Sequence, residues 1–198
     1  EWNEKQELPW KQAEEPDHRA LQQYVKALNT FYQEHPAWYE TDFDAEGFEW
    51  LSSMDADHSI ITFMRYDAKK EERLLVVCNF TPVTYENFKI GVPVAGKYKE
   101  IFNTDAAHFG GQNILNEKQL SSEKVERNGC ENSIVLDLPP LALTVYAYEP
   151  FTKLELEEIQ IREEAELAAK AAQEQAWQAE QLKVKAEEEA QAALEAQK

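Results

Sequence analysis

A run of acidic side chains is the part of the sequence closest in type to a catalytic site. It contains Asp42, Asp44, Glu46 and Glu49, and most glycoside hydrolases use a pair of carboxyl groups as nucleophile and general acid. These residues stand at the entry to a predicted strand. There we expect solvent rather than the apolar pocket that acid–base catalysis by a carboxyl group needs. We interpret them as solvated surface groups.

Other residue types that carry chemistry are present without the spacing that their chemistry requires. The segment Asp55-Ala56-Asp57-His58 lacks the spacing of a calcium loop, and a hairpin turn explains it. The four histidines are scattered along the chain: His18, His35, His58 and His108. The serines therefore have no histidine in a nucleophile pattern, and no glycine-rich phosphate loop is found. The residues alone predict no catalytic group, no metal and no cofactor.

The charge balance restricts the partners of the chain. Its 198 residues include 20 lysines and arginines against 38 aspartates and glutamates, for a formal net charge of -18. Such a surface repels phosphate backbones and anionic lipids, so we expect neither nucleic acid nor a membrane surface as a partner. Neutral polysaccharides are compatible with it, because they bind through aromatic rings and hydrogen bonds.

The cysteines and the first residues of the chain indicate where the protein works. Cys78 lies in a predicted buried strand and Cys130 in a predicted turn, and we expect both to be free thiols. The sequence opens on no targeting pattern, and no apolar run reaches the ~20 residues that a membrane-spanning helix needs. The chain starts at Glu1 without a methionine. We expect a cytoplasmic protein and a chain cut from a longer one.

An amphipathic helix is predicted over residues 16–36, after a loop over residues 1–15. Pro16 and Asp17 suit the first turn of a helix, and Pro36 ends it. The apolar side chains recur every three or four residues: Leu21, Tyr24, Val25, Leu28, Phe31 and Tyr32. Such a wide face packs either against the protein's own sheet or against a further domain upstream, and the sequence leaves both open.

Residues 37–149 predict an antiparallel β-sandwich, so the fold class is mainly β. The central strand is Leu74–Phe80, because its unbroken apolar run Leu74–Cys78 is typical of a strand buried on both faces. Turn signals separate six further predicted strands: Phe48–Ser52, Ile60–Tyr66, Asn87–Val92, Lys97–Asn103, Ser133–Leu138 and Leu141–Tyr148. Trp50 lies inside an apolar strand and is assigned to the core.

Residues 150–198 predict a long α-helical tail. The stretch Phe151–Lys198 has no glycine or proline and is dominated by Ala, Glu, Gln and Lys. A heptad pattern places alanines at one seam position: Ala165, Ala172, Ala179, Ala186 and Ala193. Gln175 and Glu189 interrupt the other seam position, and alanine buries little apolar area. A solvated single helix and a weak coiled coil with a partner both remain open.

Six short motifs occur in the order and spacing found in bacterial glycogen branching enzymes. They are Glu1-Trp2-Asn3, Phe43–Trp50, Val77–Pro82, Gly91-Val92-Pro93, Asn103-Thr104-Asp105 and Leu138–Ala142. Residues 1–148 therefore resemble the C-terminal part of the 1,4-α-glucan branching enzyme family, in the α-amylase clan (glycoside hydrolase family 13). The tail from Phe151 onward lies outside the resemblance.

The resemblance implies a parent enzyme of glycogen biosynthesis, which cleaves an α-1,4-glucan through a covalent glycosyl-enzyme intermediate and transfers the piece to form an α-1,6 branch. It also implies that the catalytic carboxylates lie on an upstream (β/α)8 barrel, so this chain alone is expected to be inactive. Residues 1–15 then correspond to a loop from the end of the barrel, 16–36 to its last helix, 37–149 to the C-terminal β-sandwich and 150–198 to a helical tail. The implied partners are an α-glucan (glycogen or amylose) and the barrel itself, with a coiled-coil partner for the tail left open.

Three functions remain open at this point. The chain is the C-terminal portion of a branching enzyme, a stand-alone glucan-binding module, or an interaction module that works through its tail. The bare apolar face of the predicted helix favours the first. For glucan contact we expect sugar rings to stack on Trp10, which follows Pro9 in a polar loop, and on Tyr98, which lies between two lysines. Packing roles for both residues are the alternative.

Overall fold

The apolar run Leu74–Cys78 lies in an interior strand of a six-stranded sheet. The structure, a computed structural model, describes residues 3–55 and 57–195. It divides into two compact units, the first ending at Pro150 and the second beginning at Phe151.

The first unit contains one α-helix and eight strands within the described residues. The helix α1 spans Pro16–Glu34. The strands are β1 Phe48–Asp55, β2 Ile60–Tyr66, β3 Arg73–Asn79, β4 Tyr85–Val92, β5 Lys97–Asn103, β6 Leu120–Ser121, β7 Asn132–Leu138 and β8 Ala142–Glu149. Short 3-10 helices lie at Trp10–Glu14, Pro36–Trp38, Ala45–Gly47 and Ala107–Phe109.

The strands form two antiparallel sheets. The larger sheet has the order β1-β2-β3-β8-β5-β6, and the smaller one pairs β4 with β7. The mainly β, antiparallel fold with a helix before it and a helix after it is confirmed. The sequence missed β6, which has only two residues and no apolar alternation to mark it.

The main core lies between the two sheets. Alternate residues of β2, β3, β5 and β8 point toward alternate residues of β4 and β7, because successive side chains of a strand face opposite sides. The buried members of this core are Ile60, Met64, Tyr66, Leu75, Val77, Ile90, Val92, Tyr98, Ile134, Leu136, Leu138 and Tyr146. The strand β3 contributes to it from one side only.

A second core lies on the other face of the larger sheet. Leu74, Val76 and Val145 are fully buried there together with Ala37, and Phe31 and Trp38 pack against them. The helix α1 and the turn Pro36–Trp38 are therefore the cover of this face. Since Leu75 and Val77 are also fully buried, in the core between the sheets, the prediction that this strand is buried on both faces is confirmed.

Two charged side chains of the sheet region hold that cover in place. Arg65 donates from Nε to the Ala37 carbonyl at 3.2 Å and from Nη2 to the Trp38 carbonyl at 3.0 Å. Glu72 accepts from the Ala37 amide at 2.9 Å through Oε2 and contacts Nδ1 of His35 at 2.5 Å through Oε1. The turn after α1 is thus anchored by side chains that come from β2 and from the residue just before β3.

A loop after β5 contacts the middle of α1. Asp105 is buried and accepts hydrogen bonds from the amides of Gln112 and Ile114, at 2.9 Å each. Gly111 lies so close to this turn that a Cβ there would sit 2.0 Å from the Asp105 carbonyl oxygen. The loop's Phe109 then meets Tyr24 of α1 edge to face, with ring centroids 5.1 Å apart. The loop is a second support for the helix.

The second unit is one long helix, α2, which spans Lys153–Glu195. Thr152 and Glu155 form a capping box at its start: the Glu155 carboxylate accepts from the Thr152 amide at 2.7 Å, and the Glu155 amide donates to the Thr152 hydroxyl at 3.3 Å. The large apolar side chains Leu154, Ile161, Leu167 and Trp177 are exposed. The predicted helical tail is found, and a coiled-coil partner for it stays a prediction.

The predicted boundaries of the first helix and of five strands differ from the structure. The central strand, predicted as Leu74–Phe80, spans Arg73–Asn79, and the strand predicted as Asn87–Val92 begins at Tyr85. The first helix ends at Glu34 and is followed by the separate turn Pro36–Trp38, whereas the sequence placed one helix over residues 16–36. The segment predicted as a loop contains a short 3-10 helix, Trp10–Glu14. Ala56, in the predicted hairpin turn between β1 and β2, lies outside the described residues. Among the described residues, none of the helices is long and apolar enough to span a membrane.

We expect Arg65→Ala to lower the free energy of unfolding of the chain by about 1–3 kcal/mol, because the two carbonyl oxygens it serves would lose a largely buried donor. Urea unfolding followed by tryptophan fluorescence measures this. The exposed Arg127 provides the control, and Arg127→Ala should change the stability by less than about 0.5 kcal/mol. Equal effects of the two substitutions would show that Arg65 does not anchor the turn after α1.

Candidate functional site

The helix α1 has an apolar face wider than the sheet covers. Phe31 contacts Phe102 with ring centroids 4.6 Å apart, and Tyr24 contacts Phe109. At ~100° per residue, Leu21, Val25 and Tyr32 lie about a quarter turn round the helix from those two rings. These three side chains are 62%, 46% and 48% exposed.

The uncovered residues continue past the end of the helix. Tyr39 is exposed and contacts Tyr32 with ring centroids 5.6 Å apart. We call Leu21, Val25, Tyr32 and Tyr39 the α1 stripe. Contiguous exposed apolar side chains of this kind mark interaction surfaces in soluble proteins. The α1 stripe is therefore a candidate docking surface, formed by the same helix whose other side is fixed to the sheet.

A second group of exposed aromatic side chains lies at the edge of the larger sheet. Trp50 in β1 pairs with Phe63 in β2. Its ring meets Phe48 at 4.8 Å and Phe63 at 5.8 Å, edge to face, and Phe48 stacks on Phe63 at 5.1 Å. We call these three rings the sheet-edge aromatic cluster. It belongs to the face of the sheet that α1 covers only in part, because Phe63 packs against the core on that face.

The assignment of Trp50 to the core is wrong. Its side chain is 56% exposed, because β1 is an edge strand with a neighbour on one side only. Two neighbouring rings support the indole without covering it. An exposed indole backed by other rings is a surface on which the apolar CH face of a sugar can stack.

Trp10 is exposed at the entrance of a cavity. The indole is 70% exposed, and a cavity of about 240 Å³ opens beside it. Its walls come from the segment before α1 and from the first turns of α1: Leu8, Pro9, Trp10, Gln12, Ala13, His18 and Gln22. This placement leaves Trp10 available as a candidate glucan contact.

Tyr98 lies in the core, and its predicted role at a surface site is corrected. Its side chain is fully buried between the sheets. The hydroxyl donates to the Val94 carbonyl at 2.7 Å, and the ring meets Tyr148 edge to face at 5.6 Å. A ring in this position offers no face to a sugar, so Tyr98 fits the packing role that was the alternative. The structure does not bring Trp10 and Tyr98 together.

Two of the four acidic residues considered at the outset make structural contacts. Asp42 accepts from Arg65 at 3.0 Å, and Glu49 accepts from the hydroxyl of Tyr66 at 2.5 Å. Asp44 and Glu46 are exposed at the turn into β1. These contacts support the entry to the sheet, where Asp42 and Glu49 each bind a different side chain.

The side chains with shifted pKa values are tyrosines and cysteines. Burial raises the pKa of the Cys78 thiol to about 11 and also raises that of Cys130, so both thiols are protonated at neutral pH, which lowers their nucleophilicity. Burial likewise raises the pKa of Tyr146 well above its usual range, with Glu100 adding to the effect. Over residues 3–55 and 57–195, no cluster of three or more His, Cys, Asp or Glu side chains is arranged to hold a metal ion.

Comparisons with known proteins agree with this all-β description. The family described as "Alpha amylase, C-terminal all-beta domain" matches residues 50–149. The 1,4-alpha-glucan branching enzyme GlgB of Oceanobacillus iheyensis is 42% identical over 149 residues, which are 75% of this chain and 23% of that protein. GlgB of Synechococcus sp. (strain CC9311) is 42% identical over 165 residues, 83% of this chain and 21% of that protein.

A solved α-amylase structure from H.orenii aligns with 60% of this chain and 18% of its own, at 20% identity and a TM-score of 0.35. The curated relatives are far longer, and the chain spans about a fifth of their length. The family match itself runs from Trp50 in β1 to Glu149 at the end of β8 and so includes seven of the eight strands entirely. The chain belongs to the family of α-amylase C-terminal all-β domains.

Proposed function

We propose that this chain is the C-terminal portion of a cytoplasmic 1,4-α-glucan branching enzyme and that it stabilises the catalytic domain of that enzyme. Branching enzymes from two organisms are 42% identical to it over at least 149 residues. Those proteins are four to five times longer than the segment they share with this chain. The parent protein would cleave an α-1,4-glucan and transfer the piece to form an α-1,6 branch.

The α1 stripe is the observation that carries the docking role. A side chain such as Val or Leu gains about 1.5–3 kcal/mol when it is fully buried, and Leu21, Val25 and Tyr32 remain 46–62% exposed in this chain. The adjacent side of α1, about a quarter turn away, is already fixed through Tyr24 and Phe31, so the helix presents the stripe rigidly. The occupant we propose is the catalytic (β/α)8 barrel of the same enzyme, with α1 as its last helix.

In the reaction, this chain would position the catalytic domain and would supply no catalytic group. Retaining glycoside chemistry needs two carboxyl groups about 5–5.5 Å apart in a shaped site, and barrel enzymes carry such groups on the loops after their strands. The acidic residues considered in this chain bind Arg65 or Tyr66 or lie on an exposed turn. The catalytic groups would therefore come from the barrel, while this domain holds the barrel's last helix in place.

Glucan contact at the sheet-edge aromatic cluster is a second role that the geometry supports. Trp50 is exposed, and two further rings back it. Amphipathic aromatic rings suit a partner that has both apolar and hydrogen-bonding faces, and a net charge of -18 does not repel a neutral polymer. This surface would retain glycogen near the enzyme without taking part in bond cleavage.

The isolated chain should show no branching activity on amylose, and activity should appear when it replaces the matching C-terminal segment of the Oceanobacillus iheyensis relative. Iodine staining and counting of α-1,6 bonds measure both. The relative truncated before that segment is the control. Branching by the isolated chain, or a chimera no better than the truncated relative, would contradict the proposal.

Val25→Glu should lower the melting temperature of that chimera while leaving the isolated chain within about 0.5 kcal/mol of its parent. The reason is that a carboxylate at a docking surface must be desolvated only when the barrel is present. Val125, in a loop before β7 and 40% exposed, gives the matched control Val125→Glu. Equal melting temperatures of the Val25→Glu and Val125→Glu chimeras would show that the α1 stripe is not covered in the enzyme.

Trp50→Ala should weaken retention of the isolated chain in a native gel that contains glycogen, because the exposed indole would no longer stack on sugar rings. The melting temperature should change little. Trp177→Ala is the control, since Trp177 is 64% exposed on α2. Equal retardation of the two variants would remove Trp50 from the glucan-contact role.

A further inference from the structure

The cavity beside Trp10 combines an exposed aromatic ring with polar side chains. Gln12 contributes one amide, Gln22 a second and His18 an imidazole, while Leu8 and Pro9 complete an apolar wall. Amides and imidazole both donate and accept hydrogen bonds. This set matches a ligand that carries hydroxyl groups round an apolar ring.

The backbone around the cavity holds Trp10 in position. The Trp10 amide donates to the Leu8 carbonyl at 2.8 Å, and the Gln12 amide donates to the Pro9 carbonyl at 2.8 Å. Pro9 restricts its own φ, and Pro16 occupies the first position of α1. The far wall is therefore a helix and the near wall a hydrogen-bonded 3-10 turn. Little ordering of the chain is needed when a ligand binds, which favours affinity.

The size of the cavity selects among neutral ligands. Pockets for drug-sized molecules enclose about 300–1,000 Å³, whereas the cavity beside Trp10 has a volume of about 240 Å³ and is widely open to solvent. One sugar ring suits such a volume better than a larger planar ligand.

The cavity lies away from the sheet. At ~100° per residue, His18 and Gln22 fall on nearly the opposite side of α1 from Tyr24 and Phe31, which contact the rest of the unit. Val25 of the α1 stripe is their neighbour on the helix surface. A ligand in the cavity would therefore sit beside the margin of the proposed docking surface.

We propose that the Trp10 cavity binds one glucosyl unit of an α-1,4-glucan, with the sugar's CH face on the Trp10 indole and its hydroxyl groups hydrogen-bonded to Gln12, His18 and Gln22. This inference rests on the proposed function for its substrate class. It adds a second contact on the glucan, separate from the sheet-edge aromatic cluster and next to the proposed junction with the catalytic domain.

Calorimetric titration of maltotriose into the 198-residue chain tests the proposal, in a Trp50→Ala background so that the sheet-edge cluster does not contribute. Trp10→Ala should weaken binding about tenfold or more. Trp10→Phe, which keeps an aromatic face, should bind within about threefold of its parent. Trp177→Ala, on the exposed face of α2, should leave binding unchanged.

Gln22→Leu separates ligand contact from folding, because it removes hydrogen bonding and keeps a similar side-chain volume. It should weaken maltotriose binding several-fold with an unchanged melting temperature. Maltotriose binding that is undetectable in the Trp50→Ala chain, or equal in the Trp10→Ala and Gln22→Leu variants and their parent, would overturn the proposal. An active chimera whose C-terminal segment does not bind maltotriose would overturn the Trp10 site and leave the proposed function intact. Trp10-dependent binding together with an inactive chimera would support the Trp10 site and contradict the proposed function.

Discussion

The larger sheet has to bury both of its faces, and the rest of the first unit depends on this constraint. Residues of β3 alternate between two cores, with Leu75 and Val77 on one side and Leu74 and Val76 on the other, all fully buried. The small sheet closes the first side. Among the described residues, α1, the turn after it and Phe109 of the loop after β5 lie over the second side. The position of α1, and hence of everything exposed on it, is thus set by the sheet beneath.

The same constraint divides the exposed apolar groups into two kinds. The α1 stripe combines aliphatic side chains with tyrosines along α1 and just beyond the turn that follows it, a pattern suited to another protein surface. Trp10 and Trp50 are indoles on two separate supports, a 3-10 turn and an edge strand. Since a chain of net charge -18 gains nothing electrostatically from a neutral polymer, apolar stacking and neutral hydrogen bonds would have to supply the affinity for a glucan.

Most of the fold could be predicted from the sequence, because strand length, apolar alternation and turn residues are local signals. Ile60–Tyr66 and Lys97–Asn103 are found with their predicted limits. The exposed residues of the candidate functional site were harder to predict. Trp50 looked buried because its strand is apolar, and only the sheet order shows that β1 lies at an edge. For Tyr98 the sequence did contain a signal. Lys97 and Lys99 flank it, and period-two alternation places the tyrosine on the face opposite the two lysines, toward the core.

The helix α1 links the two proposed roles. Its C-terminal end is held by the contacts of Glu72 with His35 and with the Ala37 amide, and its middle by the contact of Tyr24 with Phe109. Its N-terminal turns form one wall of the Trp10 cavity. A helix fixed at its end and middle presents its first turns in a defined place without further support. A glucosyl unit bound there and a catalytic domain docked on the α1 stripe would then be positioned by one element, whose own position follows from the second face of the sheet.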